Sequence, residues 1–333
     1  MTRLMEDILR QPAALREVWA RLRGSEAIGR ARSVLHAASE VRVVGIGASF
    51  HAATAVASLL DRARADDASE LLHAPSFRPG AALLVLSRSG RSVEVVGLLD
   101  AAARHGLRVV AVTNAPDSPL GRRSDVVLPL GVAFDHAVSI VTYSALALAG
   151  AMALAEPPDL DGALDRLEPA SAEWRAAFEG WEPPPGPAYF LGRGGSLATA
   201  HEARLLWEEA AKAPATALTT GGFRHGPQEV VRPGLLVGLW IHGERRRSED
   251  LALARDLRGL GARVLAIGQR LPADAGDLVL QLPSIDPDWQ FVLDAIPAQL
   301  AAERAARARG VDCDAFRLCS YIVEAEGGLI RST

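Results

Sequence analysis

Four blocks of this sequence occur twice, in the same order and at a nearly constant separation, which restricts the chain to two copies of one folding unit. Val43-Val44-Gly45-Ile46-Gly47-Ala48-Ser49-Phe50 is echoed by Phe190-Leu191-Gly192-Arg193-Gly194-Gly195-Ser196-Leu197. Pro79-Gly80 before Leu83-Leu84-Val85-Leu86 is echoed by Pro233-Gly234 before Leu235-Leu236-Val237-Gly238-Leu239-Trp240. Gly106 to Val112 matches Gly261 to Ile267, and Asp125 to Leu130 matches Asp277 to Leu282. Within each copy, short apolar runs of strand length alternate with helical patterns, the signature of βαβ units. The expected fold is α/β: two tandem doubly wound parallel-sheet domains of the flavodoxin-like kind. With 333 residues each copy can bury its own core.

The division expected from these patterns has five parts. Residues 1–33 form a helical segment packed on the first domain, which spans 34–155. The Pro- and acid-rich stretch 156–187, ending in Pro183-Pro184-Pro185, is a linker with a helix around Ala170 to Gly180. The second domain spans 188–309, and a tail, 310–333, closes over the active site.

The copies differ where chemistry belongs. The apolar run Leu83 to Leu86 stops at Ser87-Arg88-Ser89-Gly90-Arg91-Ser92, followed by the helical pattern Val93 to Leu99. A buried parallel strand is continuously apolar, and the helix after it offers unpaired N–H groups and the positive end of its dipole. Ser87, Ser89 and Ser92 each carry a hydroxyl able to donate to a phosphate oxygen, and Gly90 lets the backbone approach closely. Any one of these serines alone reads more readily as a helix cap, and it is three at this spacing after a buried strand that point to a ligand site. The second copy has Ile241-His242-Gly243-Glu244 at this place, without hydroxyls, then Arg245-Arg246-Arg247.

Composition narrows the function classes. A net charge of −4 with scattered arginines makes no electrostatic case for nucleic acid. No apolar run is long enough to span a bilayer, and the charged start is no signal peptide, so a cytoplasmic location is expected. Cys313 and Cys319 lack partners for zinc or a disulfide scaffold, and no spacing groups His51, Asp135 and His136 into a metal site. In Gly45-Ile46-Gly47 the third glycine of the dinucleotide fingerprint is replaced by Phe50, and in the second copy by Leu197, so no nucleotide cofactor is expected. Lys212 is the sole lysine, which leaves imine chemistry one carrier.

Several motifs together resemble the double sugar-isomerase (SIS) domain family, which includes the isomerase half of glucosamine-6-phosphate synthase and related phosphosugar isomerases and deaminases. They are the Gly47-Ala48-Ser49 turn, Ser87 to Ser92, Ala137-Val138-Ser139, the helix with Glu202 and Glu209, and Phe223-Arg224-His225-Gly226-Pro227, close to the family's Lys-His-Gly-Pro loop. The resemblance implies that Ser87, Ser89 and Ser92, with Arg88, hold a sugar phosphate. Gly47, Ser49, Ala137 and Ser139 would fix the sugar. Glu209 would move a proton between C1 and C2, supported by Glu202. His225, beside Arg224, would open the ring from the neighbouring subunit of a homodimer. Glu202 and Glu209, seven residues apart on a helix read as Ala198 to Lys212, share a face, and a partly buried carboxylate there has the raised pKa a base can use.

The chain also departs from that pattern. Leu206 stands where the synthase has a lysine, and Tyr321 falls near the position of a second lysine in the tail. No glutaminase domain precedes the first unit in this sequence. The resemblance thus implies aldose-ketose isomerisation of a phosphosugar by an enediol route. Amino-sugar-phosphate deamination or deglycation, or a non-catalytic phosphosugar-binding regulator, are the alternatives.

Overall fold

The computed structural model describes residues 1–325. The chain divides into two compact units, one of Ala13–Pro157 with the tail from Ala315 onward, the other of Met1–Pro12 with Pro158–Asp314.

The first unit is built on β1 (Val41–Gly45), β2 (Ala63–Asp67), β3 (Ala82–Ser87), β4 (Arg108–Thr113) and β5 (Val126–Pro129), all parallel in the order β2-β1-β3-β4-β5. All six residues of β3 are buried, as a strand covered on both faces requires. The helices to this point are α1 (Arg3–Leu22), which runs across the division, α2 (Glu26–Ala37), α3 (Ala48–Ala57), α4 (Ala68–His73), α5 (Val93–Arg104), α6 (Pro119–Arg122) and α7 (Val141–Leu154). Helix α5 turns Val95, Leu98, Leu99 and Ala102 onto Leu83 and Val85. That spacing is the helical apolar stripe, and each large side chain so buried contributes about 1.5–3 kcal/mol.

The second unit repeats the plan with β6 (Ala188–Gly192), β7 (Ala215–Thr219), β8 (Leu236–Ile241), β9 (Arg263–Gly268) and β10 (Leu278–Gln281), parallel in the order β10-β9-β8-β6-β7. Its helices are α8 (Asp161–Glu179), α9 (Gly195–Glu209), α10 (Thr220–Phe223), α11 (Arg247–Gly259) and α12 (Ile296–Arg309). Read from β2 and from β7, the two strand orders are the same. The repeated glycines share one cause. A Cβ on Gly45 would lie 2.2 Å from the Ser49 carbonyl oxygen, and one on Gly192 2.4 Å from that of Ser196. In each unit the first strand therefore ends so close to the following helix that only glycine fits.

Two elements differ from the sequence reading. Helix α8 starts at Asp161 and runs through Pro169, where the sequence suggested a helix beginning only after the proline. Its buried stripe, Ala163, Leu164, Leu167, Ala170, Trp174 and Phe178, continues across Pro169 in helical register, and that burial outweighs a proline cost of about 3 kcal/mol. The N-terminal segment is also shared between the units. Its first residues are tied within the second, where the Arg3 and Leu4 amides donate to the Asp314 carboxylate at 2.9 and 2.8 Å and Gln11 Nε2 donates to Gln299 Oε1 at 2.5 Å. Packing with the first domain begins at Ala13.

Candidate functional site

In a sheet ordered β2-β1-β3-β4-β5 the strand order reverses between β1 and β3, and the crevice outside their carboxyl ends is where such folds take ligands. Gly47, Ala48 and Ser49 open α3 on the β1 side of that crevice, and Ser87 to Ser92 form the turn on the β3 side. Ser87 Oγ accepts from the Gly90 amide at 3.1 Å and Ser89 Oγ from the Arg91 amide at 3.2 Å. Both bonds use hydroxyl lone pairs, so each O–H still has its proton to donate. Ser92 is the N-cap residue of α5 but makes no side-chain cap bond. Gly90 has φ +60°, and a Cβ there would lie 2.1 Å from Ser118 Oγ, so the tight turn admits no other residue.

The segment 135–139 borders this turn. Asp135 is buried and its two carboxylate oxygens accept from the Val141 and Thr142 amides at 2.9 and 3.1 Å. These two bonds satisfy amides at the N-terminus of α7. Arg88 Nη1 donates to the Ala137 carbonyl at 3.4 Å. Asn114, at the end of β4, was missed. Its Nδ2 donates to the Val132 carbonyl at 2.7 Å and its Oδ1 accepts from the Val132 amide at 3.1 Å, anchoring the start of the segment. A turn-forming asparagine directly after an apolar strand was the available signal.

The tail residues nearest this turn are ordered on it. Arg88 Nη2 donates to the Tyr321 carbonyl at 2.7 Å, and the Tyr321 hydroxyl donates to the Asp135 carbonyl at 2.7 Å. The Val93 amide, the first of α5, donates to the Val323 carbonyl at 3.1 Å. Tail positions 326–333 lie outside the described residues.

The remaining expected residues belong to the second unit. Glu202 and Glu209 both lie on α9. Glu202 is fully buried, and desolvation pushes its carboxyl up to about 8, opposed by Arg204. Glu209 is half-buried at the last turn. Lys212 does not continue the helix as the sequence suggested: α9 ends at Glu209, and Lys212 has φ +52° and donates through Nζ to the Glu209 carbonyl. Pro214 accounts for the early end, because it drives the preceding residue toward extended backbone. Arg224 and His225 are exposed in the turn after α10, where Thr219 Oγ1 caps the Gly222 amide at 2.8 Å. The structure thus places Gly47, Ser49, Ser87, Arg88, Ser89, Ser92, Ala137 and Ser139 in one unit, and Glu202, Glu209, Arg224 and His225 in the other.

A serine-rich turn thus stands at the switch point of a doubly wound α/β sheet, the place where such folds take ligands. Residues 34–155 match the family model described as the SIS domain. It is 28% identical over 352 residues to glutamine–fructose-6-phosphate aminotransferase (isomerizing) of Pyrobaculum aerophilum, covering 97% of this chain and 57% of that protein. Against the enzyme of the same name from Symbiobacterium thermophilum it is 28% identical, covering 97% and 59%. The chain therefore spans less than two thirds of these relatives. Its fold is that of the solved Thermotoga maritima glucosamine-6-phosphate deaminase (TM-score 0.81, 21% identity, 97% of this chain and 99% of that one). It is also that of Escherichia coli tagatose-6-phosphate ketose/aldose isomerase (TM-score 0.80, 23% identity, 94% of each chain).

Proposed function

We propose that the protein is a phosphosugar isomerase that interconverts an aldose and a ketose phosphate through an enediol. The observation that carries this reading is the hydroxyl-bearing turn Ser87 to Ser92 at the switch-point crevice, inside the stretch that matches the SIS domain. Ser87, Ser89 and Ser92, at the positive end of the α5 dipole, hold the phosphate. That anchor leaves the distal carbons to the proton chemistry. Glu209 takes the proton from the carbon next to the carbonyl and returns it to the neighbouring carbon, while the hydroxyl proton moves between O1 and O2. His225 handles the proton at the ring oxygen as the ring opens.

The fate of the only lysine favours this reading over amine chemistry. An imine-forming lysine must present its amine to the substrate carbonyl, whereas Lys212 Nζ donates to the Glu209 carbonyl at the end of α9. The reading includes a homodimer in which His225 of one subunit serves the site of the other. Mixing inactive Glu209→Gln protein with inactive His225→Ala protein under subunit exchange tests it. Partial recovery of activity supports shared sites; no recovery after proven exchange removes His225 from that role.

A further inference from the structure

The second unit has its own switch-point crevice, between β6 and β8, and it is built from different chemistry. Arg193, the first residue after β6, and His242 and Arg245, just after β8, line a cavity of about 60 Å³ with Ser196, Asp288 and Phe291. On the scale where one water occupies about 10–15 Å³, this holds about four to six oxygen-sized atoms, room for a single tetrahedral oxyanion.

The donors are positioned in advance. Arg193 Nε donates to Asp250 Oδ1 and Oδ2 at 3.0 and 3.1 Å, and Asp250 is only 1% exposed, so the guanidinium is held by a buried carboxylate. His242 is itself 9% exposed. Its Nδ1 accepts from the Glu244 and Arg245 amides at 3.1 and 3.0 Å, which fixes the ring proton on Nε2, directed to Asp288 Oδ1 at 3.3 Å. Arg245 Nη2 reaches the other oxygen of Asp288 at 2.7 Å. Gly194 and Gly195, at the start of α9, complete the lining. The Asp288 carboxylate, on a short turn and 44% exposed, takes two of these donors at once. It does what an incoming oxyanion would do, and it can swing away into solvent.

We propose that this crevice is a second oxyanion site, distinct from the serine turn, which takes a phosphate group, free or as a sugar phosphate monoester, in exchange for Asp288. The site does not depend on the isomerase reading, since none of its donors belongs to that machinery.

The test is calorimetric titration of the full chain carrying Ser89→Ala and Ser92→Ala, which removes two hydroxyls of the first turn. Inorganic phosphate and a hexose 6-phosphate are titrated separately. One equivalent is expected to bind. Adding Arg245→Gln should weaken that binding about tenfold, the loss of one charge-assisted hydrogen bond. Adding Asp288→Asn should strengthen it several-fold, because the competing carboxylate is gone. Both positions are partly exposed, so neither change threatens folding. Tighter binding of the ester than of free phosphate assigns the site to sugar phosphates, and equal binding assigns it to the free anion. Absence of binding, or an affinity that neither Arg245→Gln nor Asp288→Asn moves, overturns the proposal.

Discussion

The guanidinium of Arg88 lies 4.0 Å from the centroid of the Tyr321 ring, so a residue of the serine turn is stacked on a residue more than two hundred positions later. With the Tyr321 hydroxyl on the Asp135 carbonyl, this contact docks the tail against the first unit. The Val323 carbonyl is thereby delivered to the Val93 amide. A cation over an aromatic face contributes about 0.5–2 kcal/mol, enough to bias a short segment between docked and free.

Tyr321→Ala is expected to release the tail, and hydrogen exchange at the Val93 amide reads this directly. Exchange there should accelerate in Tyr321→Ala and change less in Tyr321→Phe, which keeps the stacked ring. Equal exchange in all three proteins would show that Val93 is protected by something other than the tail.

Ser89→Ala with Ser92→Ala should weaken sugar phosphate binding while leaving the unfolding midpoint nearly in place. Each charge-assisted bond is worth about 1.5–3 kcal/mol, against about 1 kcal/mol for the turn bond that Ser89 makes to the Arg91 amide. Titration of the double variant with the best-binding sugar phosphate checks this, and unchanged affinity would remove the serine turn from the site.

Much of the fold was legible because its causes are local. Buried parallel strands such as β3 are written as unbroken apolar runs, and Gly45 and Gly192 mark close strand-helix crossings that repeat with the fold. What could not be read depended on contacts distant in sequence. Nothing local to Tyr321 announces Arg88, and nothing in Asp135 announces that its carboxylate is consumed by α7. The raised pKa expected for a carboxylate on α9 is found at Glu202, because burial depth depends on what packs over the helix. In the second copy, loss of hydroxyls hid a crevice lined by arginines, since Arg193 and Arg245 meet only through the sheet order.

Stability should fall as pH rises from about 4 to about 8. Burial pushes Asp294 up to about 7, although Ser196 and Thr199 donate to it at 2.6 and 2.7 Å, and it pushes Glu202 up to about 8. Both folded values lie above the ordinary 3.8 and 4.5, so the native state keeps protons that the unfolded chain has released. The stabilisation is complete below the ordinary values and is lost as pH passes through the raised ones, by at most about 1.4 kcal/mol per pH unit for each group. Urea unfolding at several pH values should show this decline, and Asp294→Asn should flatten it below pH 7. A variant with the wild-type slope would exclude Asp294 as a source.

Lys212→Arg should keep most turnover, because the side chain donates to the end of α9 and forms no bond to substrate in this account. Borohydride added with substrate should leave no covalent adduct on Lys212 by mass spectrometry. An adduct would establish imine chemistry and favour the deaminase reading.

The central claim, proton transfer by Glu209 at a sugar carbon, is tested most directly by following solvent deuterium into C1 and C2 of aldose and ketose phosphates. Wild-type protein should incorporate deuterium into at least one hexose or pentose phosphate. Glu209→Gln, which keeps the shape of the side chain but not its basicity, should bind the same sugar and incorporate none. Incorporation by Glu209→Gln at the wild-type rate would contradict the account, as would none by wild-type protein with any sugar phosphate it binds.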